Sequence, residues 1–201
     1  MNEGLNIYRT EMIPDEEPQD APRSRSWRFV VDVLETLILS LILFLGINAV
    51  SARIRVDGSS MEPTLHSGEF VVVNKLSYKL GGDVSRGDVI VFHPPRSPDQ
   101  EYIKRVVGLP GDMVAIRGGT VLVNGIELDE SYIKAPPSYS GEWQVPGDSI
   151  FVLGDNRNNS SDSHNWGEVP LDMIIGRAVF IYWPPPEWGA IDHPFIARAA
   201  P

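Results

Sequence analysis

The sequence predicts a mostly β protein with one long apolar helix near its N-terminus. Residues 29–50 form the long apolar run of this chain. After this run, short stretches rich in β-branched residues alternate with turn residues, which is typical of strands joined by tight turns. The 17 prolines and 18 glycines also favour short strands over long helices. We therefore expect a transmembrane helix followed by an all-β, partly barrel-like domain with long loops.

The apolar run Phe29–Val50 has the length of a membrane-spanning helix. Roughly 20 residues are needed to cross about 30 Å of hydrocarbon, and Asp32 and Glu35 fall in the first turns, near the headgroups. A buried core helix is the weaker alternative, because the run is apolar on all sides. A cleaved secretory signal is the stronger alternative, since arginines precede the run and Ala49-Val50-Ser51 offers small residues at its end.

Basic residues on the two sides of the run indicate its orientation. Arg23, Arg25 and Arg28 precede it, whereas Arg53 and Arg55 follow it. The positive-inside bias therefore leans slightly toward a cytoplasmic N-terminus.

The sequence predicts three segments. Residues 1–27 are acidic and poor in hydrophobic side chains, so we expect a disordered cytoplasmic tail. Residues 28–51 are the predicted transmembrane anchor, and residues 52–201 the predicted extracytoplasmic β domain.

Strands are predicted wherever apolar or β-branched runs lie between turn residues. The predicted strands are Arg53–Val56, Glu69–Leu76, Asp88–Phe92, Tyr102–Gly108, Met113–Arg117, Thr120–Val123, Ile126–Leu128, Ser149–Leu153 and Arg177–Trp183. Gly118-Gly119 and Asn124-Gly125 each separate two such runs and predict tight hairpins. A short helical period is visible at Leu171–Ile175, and Tyr132–Pro146 is predicted to be a loop.

Composition excludes several function classes. A net charge of −10 and a pI near 4.8 argue against a nucleic-acid partner, since nucleic-acid-binding domains are normally basic. There are no cysteines, so neither a disulfide framework nor a thiolate metal site is available. The four histidines are scattered, and we expect neither a metal nor an organic cofactor.

Three separated blocks carry the chemical signal of the chain. Gly58–Leu65 reads GSSMEPTL, Tyr102–Asp112 reads YIKRVVGLPGD, and Gly154–Ser163 reads GDNRNNSSDS. These blocks, in this order and after one apolar span, resemble the bacterial type I signal peptidases (leader peptidases), which are membrane-anchored serine endopeptidases with a Ser-Lys dyad. The resemblance runs from the apolar span to about Trp183, and it implies a signal-peptidase-type catalytic β domain.

The resemblance implies that Ser60 is the nucleophile and Lys104 the general base. Ser60 stands in the family's Ser-Met-x-Pro-Thr pattern, whereas Ser59 does not match that position. A serine needs a base to attack an amide, and a lysine with its ordinary pKa near 10.4 is protonated at pH 7. Burial would lower that pKa. Because side chains alternate along a strand, we expect Lys104 to point inward while Arg105 stays in solvent.

The third block supplies the expected supporting residues. By resemblance, Ser160 would hydrogen-bond to the Lys104 amine, and Asp162 would brace the loop together with Arg157. His164 stands where the family often has an arginine, so this bracing would be weak or pH-dependent.

An oxyanion hole is also expected near the nucleophile. The backbone N–H of Ser60 is the first expected donor. Some relatives add a serine hydroxyl two residues earlier, where this chain has Gly58, so the second donor would be another backbone group or water.

The resemblance further implies removal of signal peptides from exported preproteins, with a cut after small residues in an Ala-x-Ala-like motif. The expected pocket residues are Val56, Leu65, Val71 and Ile103, with Tyr102 making main-chain contacts. The alternative for these residues is plain β-core packing. The implied partners are preproteins, the lipid bilayer and, transiently, the export translocon. The implied location is the bacterial cytoplasmic membrane, with one span.

Other functions fit the sequence less well. Ser131 and Lys134 match Ser-x-x-Lys, but the companion motifs of penicillin-recognising enzymes are missing. A self-cleaving repressor-type protease shares the Ser-Lys dyad but would carry a DNA-binding domain. The third alternative is an inactive membrane-tethered adaptor. The presence of both Ser60 and Lys104 argues against it.

Overall fold

The computed structural model describes residues 25–194 and 196–197. The chain divides into two compact units, Met1–Phe44 and Leu45–Pro201. The predicted acidic tail lies almost entirely outside the described residues, and so does Arg23. The three predicted segment boundaries stay a prediction.

The predicted apolar helix is present as α1, which spans Arg25–Val50. Its stretch Ser26–Val50 is long and apolar enough to cross a membrane, and none of its most apolar part is buried against protein. The buried-core alternative for this run is therefore wrong. Burying so many apolar side chains requires a bilayer or a partner, since water solvates them poorly.

The unit Leu45–Pro201 is built from short strands, as the turn-rich sequence predicts. The strands are β1 (Ser51–Arg55), β2 (Phe70–Asn74), β3 (Val89–Phe92), β4 (Tyr102–Gly108), β5 (Met113–Arg117), β6 (Thr120–Val123), β7 (Ile126–Asp129), β8 (Gly141–Gln144), β9 (Ser149–Leu153), β10 (Val169–Pro170), β11 (Ile174–Trp183), β12 (Gly189–Ala190) and β13 (Ile196–Ala197). The remaining elements are a short helix, α2 (Ser163–Trp166), and three 3₁₀ turns, Arg157–Asn159, Leu171–Met173 and Pro185–Glu187.

Two sheets contain all of these strands. The larger sheet has the order β1-β2-β11-β3-β4-β9-β10, with β12 added beside β11, and the smaller has the order β13-β7-β6-β5-β8. Every pairing is antiparallel. The larger sheet curves into a partial barrel, so the predicted mostly β, partly barrel-like class is confirmed.

Both predicted hairpins form. Arg117 pairs with Thr120 across Gly118-Gly119, and Val123 pairs with Ile126 across Asn124-Gly125. All four turn residues have positive φ, which suits the twist of a two-residue hairpin and which glycine and asparagine tolerate best.

Two details differ from the prediction. The helical period at Leu171–Ile175 becomes the 3₁₀ turn Leu171–Met173 followed directly by β11. The loop predicted over Tyr132–Pro146 contains β8, because Gly141–Gln144 pairs with β5. Pairing with a distant strand supplies hydrogen bonds that the local sequence pattern does not reveal.

The core that supports the site lies under β2, β3 and β4. Its buried side chains are Val56, Met61, Leu65, Val71, Val73, Val89, Val91, Ile103, Ala178 and Ile191. Met61 follows Ser60 by one residue, and Ile103 precedes Lys104. The residues next to both expected catalytic side chains are therefore fixed by burial.

Candidate active site

Ser60 lies in a turn that is held from both sides. Its backbone carbonyl accepts a hydrogen bond from the Asn156 N–H at 3.0 Å. The carbonyl of Ser59 accepts from the Asn156 side chain at 3.0 Å, and the Ser59 hydroxyl accepts from Asn159 at 2.8 Å. Met61, which is 1% exposed, anchors the turn in the core. The serine side chain is thus presented by a rigid backbone.

Lys104 extends from β4 toward this turn. Its Nζ lies 2.7 Å from Ser60 Oγ and donates a second hydrogen bond to the Ile103 carbonyl at 3.0 Å. The side chain is only 5% exposed, and its amine lies 5.5 Å from the centre of the Tyr102 ring. The structure therefore brings together the two residues that the sequence identified as nucleophile and base.

The surroundings of Lys104 change its acidity. Burial removes water from the ammonium and lowers the pKa of Lys104 to about 8, while the negative charges of Asp162 and Asp155 act in the opposite direction. With that pKa, about a tenth of the amines are neutral at pH 7. At pH 7, a far smaller fraction of the amines of an ordinary surface lysine would be neutral.

The loop after β9 touches the nucleophile turn through Gly154. A β-carbon built on Gly154 would lie 2.5 Å from the Ser60 carbonyl and would also overlap the Ser160 hydroxyl. No side chain larger than hydrogen fits without moving one of these groups. Gly154 is therefore required by the close approach of two backbone segments.

Ser160 lies beside Gly154 but does not make the expected contact. Its hydroxyl is buried and has no hydrogen-bond partner among the described residues. The predicted hydrogen bond to Lys104 is not formed; the amine donates instead to Ser60 and to the Ile103 carbonyl. Burying a hydroxyl without a hydrogen-bond partner costs folding free energy. The Ser160 hydroxyl lies within the site.

Asp162 and Arg157 both hold the loop at Gly154: Asp162 accepts from its N–H, and Arg157 Nε donates to its carbonyl at 3.1 Å. They do not bind each other directly among the described residues. Arg157 is buried and binds Glu130 with two hydrogen bonds of 2.6 and 2.7 Å. Asp162 accepts instead from the Gly154 N–H at 2.9 Å and lies 2.5 Å from His164 Nδ1. Asp162 does brace the loop, as expected, but through the backbone and His164.

His164 fills the position of the family arginine in a different way. Its ring stacks on Tyr139 with the two ring centres 3.8 Å apart. The imidazole thus combines a short contact to Asp162 with an aromatic contact. The histidine can hold Asp162 without a permanent positive charge.

Arg105 is fully buried, so the expectation that it stays in solvent is wrong. It binds Asp155 through Nε at 2.9 Å and Nη2 at 2.7 Å. Asp155 also accepts from the Thr64 hydroxyl at 2.6 Å, and Tyr132 covers the guanidinium at 4.2 Å. The ion pair links the strand that carries Lys104 to the loops around Ser60.

A cleft of about 660 Å³ opens onto the two catalytic candidates. Tyr102 and Ile103 line it, as expected, together with Ile54 and Val91. The other three expected pocket residues do not line it. Val56, Leu65 and Val71 are at most 2% exposed and lie in the core, which agrees with the alternative of β-core packing.

Comparisons with known proteins identify the family. The family described as signal peptidase, peptidase S26, matches residues 29–183. A signal peptidase I of Leptolyngbya laminosa is 46% identical over 174 residues, which cover 82% of this chain and 85% of the relative. The chain belongs to the signal peptidase family. By this membership it is a peptidase.

A further relative agrees with this assignment, and one solved structure is also similar. A probable signal peptidase I-2 of Synechocystis sp. is 42% identical over 180 residues, which cover 86% of this chain and 81% of the relative. A crystal structure of a signal peptidase I from Enterococcus faecalis V583 is 32% identical, with a TM-score of 0.44, and the match covers 47% of this chain and 96% of that one.

The backbone N–H of Ser60 is the expected oxyanion donor of this signal peptidase family member. Among the described residues, nothing accepts a hydrogen bond from the Ser60 N–H. Gly58 has a φ of 88°, a conformation that favours glycine, and its N–H donates to the Ser67 hydroxyl at 3.2 Å. The glycine serves the turn and offers no hydroxyl to a substrate.

Sequence reasoning missed several residues of this site. Asp155, Asn156 and Asn159 lie inside the third block, so the motif pointed to them without giving their partners. Glu130 and Tyr132 had no sequence signal. Their roles follow from side chains that meet only after folding.

Proposed function

We propose that this chain is a membrane-anchored serine endopeptidase that removes N-terminal signal peptides, with Ser60 as nucleophile and Lys104 as general base. Membership of the signal peptidase family supports the activity. The observation that carries the assignment of residues is a buried lysine amine 2.7 Å from a serine hydroxyl. This is the geometry that an activated serine requires.

The first half of the proposed reaction forms an ester on the enzyme. The neutral Lys104 amine takes the proton of the Ser60 hydroxyl while Oγ forms a bond to the scissile carbonyl carbon. The tetrahedral intermediate then collapses, and the bond from carbon to the amide nitrogen breaks. The Lys104 ammonium gives its proton to that nitrogen, which leaves as the new N-terminus of the mature protein.

The second half releases the signal peptide. Lys104, neutral again, takes a proton from a water molecule, whose oxygen attacks the ester carbon. The bond to Ser60 Oγ breaks, and the serine recovers its proton from Lys104. The Ser60 N–H would stabilise the oxyanion in both halves, since it has no other acceptor.

The cleft supports a substrate with small side chains at the first and third positions before the cut. Ile54, Val91 and Ile103 give part of its wall an apolar character, and Tyr102 lies at the start of β4, where an extended peptide can run alongside. The core residues Val56, Leu65 and Val71 would not contact the substrate. They would set the position of this wall by packing behind it. On this basis we propose cleavage after an Ala-x-Ala-like motif.

The helix α1 supports an anchor in the bacterial cytoplasmic membrane. We place residues 28–51 in the bilayer, residues 1–27 in the cytoplasm and residues 52–201 outside. Preproteins, whose signal peptides occupy the same bilayer, are the proposed substrates. The lipid bilayer and, transiently, the export translocon are the other proposed partners.

A preprotein cleavage assay tests the proposal. Detergent-solubilised full-length protein should cut a preprotein after Ala-x-Ala, as read from the N-terminal sequence of the product. Ser60→Ala should abolish the cut without loss of folding, whereas the matched control Ser59→Ala should retain most of the activity. An inactive wild-type protein would favour the adaptor, and an inactive Ser59→Ala beside an active Ser60→Ala would show that the nucleophile is misassigned.

A further inference from the structure

The chain continues beyond the residues that match the signal peptidase family. The match ends at residue 183, yet the following segment returns to the larger sheet. We call residues 189–194 the C-terminal strap. Its first two residues form β12, which pairs with β11 at Phe180 and Ile181, and the Ile191 N–H donates to the Val179 carbonyl at 3.1 Å. The strap is therefore part of the folded domain.

The strap contacts one pair of facing residues in the larger sheet, and such a pair is called a rung below. In this rung, Val89 of β3 pairs with Arg105 of β4. The Val89 N–H donates to His193 Nδ1 at 3.2 Å, and Arg105 Nη1 donates to the Asp192 carbonyl at 3.2 Å. The next rung pairs Ile90 with Lys104. The strap thus holds both strands one residue away from the proposed base.

The histidine in this contact must have an unprotonated Nδ1, because that atom accepts a hydrogen bond. Burial and the positive charge of Arg177 lower the pKa of His193, which favours the neutral ring near pH 7. Asp88 also faces the ring, with its carboxylate 3.9 Å from Nδ1.

Ile191 connects the strap to the core under the nucleophile. It is 4% exposed and belongs to the same cluster as Met61, Leu65 and Ile103. These residues follow Ser60 or precede Lys104 in the chain. One strap side chain therefore belongs to the same core cluster as the chain neighbours of both proposed catalytic residues.

The contact to Arg105 extends the influence of the strap to the third block. Arg105 binds Asp155, and Asp155 binds the Thr64 hydroxyl. Thr64 lies four residues after Ser60, and Asp155 follows the glycine that touches the Ser60 carbonyl. Strap, Arg105 and Asp155 form one connected network around the site.

We propose that the C-terminal strap is a positioning element that holds Lys104 and Ser60 in their reactive geometry. This inference rests on the proposed function. No strap residue lines the cleft that opens onto Ser60 and Lys104. The strap acts by fixing the Val89–Arg105 rung and the core below Ser60.

Three full-length variants test the strap. Ile191→Ala removes the core contact, and His193→Ala removes the acceptor for the Val89 N–H. Ile191→Val keeps most of the shape and serves as the conservative variant. Glu187→Ala, an exposed change just before the strap, is the matched control. All are compared with the wild type on a soluble Ala-x-Ala peptide, at a temperature where circular dichroism shows every variant to be folded.

The expected result is a loss in kcat rather than in binding. Small displacements of catalytic groups are costly in rate, so we expect Ile191→Ala and His193→Ala to lower kcat about tenfold or more with KM changed less than about twofold. A displaced Lys104 would also be less buried, which would shift the acidic limb of the pH profile to higher pH. Ile191→Val and Glu187→Ala should stay close to the wild type. Unchanged kcat and an unchanged pH profile in both folded strap variants would overturn the proposal.

A second measurement needs no peptidase activity. The extent of Lys104 acetylation by acetic anhydride, read by mass spectrometry at a series of pH values, reports its titration directly. The titration should move to higher pH in the two strap variants. If it moves while the wild type cleaves nothing, the strap inference stands and the proposed function fails. If it does not move in either variant, the strap does not set the position of Lys104 and the inference fails.

Discussion

At the scale of single residues, the site depends on a lysine that is almost entirely buried. Lys104 is 5% exposed, and its hydrogen-bond partners among the described residues are Ser60 and one carbonyl. Burial makes the amine a usable base, yet it also makes the ammonium unfavourable in the folded state. Both consequences can be measured.

The first prediction concerns activity. Lys104→Arg should be as inactive as Lys104→Ala, because a guanidinium keeps its charge and cannot be deprotonated in a protein. In the wild type, kcat/KM should rise with pH along a limb centred near the Lys104 pKa of about 8. Strong activity of Lys104→Arg, or a flat profile from pH 5 to 9, would remove Lys104 from the mechanism.

The second prediction concerns stability. The folded pKa of Lys104 lies below its ordinary 10.5, so the unfolded state binds more protons between about pH 8 and 10.5, and stability rises with pH in that window. Below about pH 8, Lys104 is protonated in the folded state, which then carries the full free-energy cost of burying the ammonium. Lys104→Met should therefore stabilise the protein near pH 6–7 by about 1–3 kcal/mol, after allowing for its lost hydrogen bonds.

This gain should shrink as the pH rises through 8 toward 10.5, where the wild-type lysine becomes neutral in both states. Denaturant unfolding of Lys104→Met and the wild type at pH 6, 8 and 10 measures it. A gain that grows with pH would contradict the assigned shift.

At the scale of elements, the sequence pattern predicted the position of most strands in the chain. It did not predict which strand faces are exposed to solvent. Tyr102–Gly108, Met113–Arg117, Thr120–Val123 and Ser149–Leu153 have the predicted bounds, since local alternation and turn residues define them. Arg105 was misplaced because alternation assigns opposite faces without saying whether either face is in solvent. β4 lies inside the larger sheet, and both of its faces are covered.

The loop that follows β9 is sharply constrained at one position. Gly154→Ala should lower kcat/KM by about a hundredfold or more, because the new β-carbon would push apart the Ser60 carbonyl and Ser160. The matched control is Gly147→Ala, where a β-carbon would meet nothing within 4 Å. Equal activities of the two variants on a soluble peptide would show that the contact at Gly154 does not set the site geometry.

At the scale of the whole molecule, the three motif blocks predicted Ser60 and Lys104 because the family pattern fixes their register. The partners of Arg157 and Asp162 were not predictable in this way. Glu130 lies 27 residues from Arg157, and no local pattern joins them. Such contacts depend on the three-dimensional path of the chain between them.

The anchor should matter for membrane substrates and not for the chemistry. A truncated protein beginning at Ser51 keeps β1 whole. Its rate on soluble peptides should stay within about threefold of the full-length rate, whereas cleavage of preproteins inserted in lipid vesicles should fall more than about tenfold, because the shared bilayer no longer concentrates enzyme and substrate. An equal effect on both substrates would support the cleaved-signal alternative for α1.

The strand order has a consequence for synthesis by the ribosome. β11, a late strand in the described part of the chain, lies between β2 and β3, and so joins the part of the sheet nearest Ser60 to the part that bears Lys104. Emerging chains fold from the N-terminus onward, but this sheet cannot close until Ile174–Trp183 has left the exit tunnel. We therefore expect Ser60 and Lys104 to be brought together, and proteolytic activity to begin, only after β11 has emerged from the ribosome.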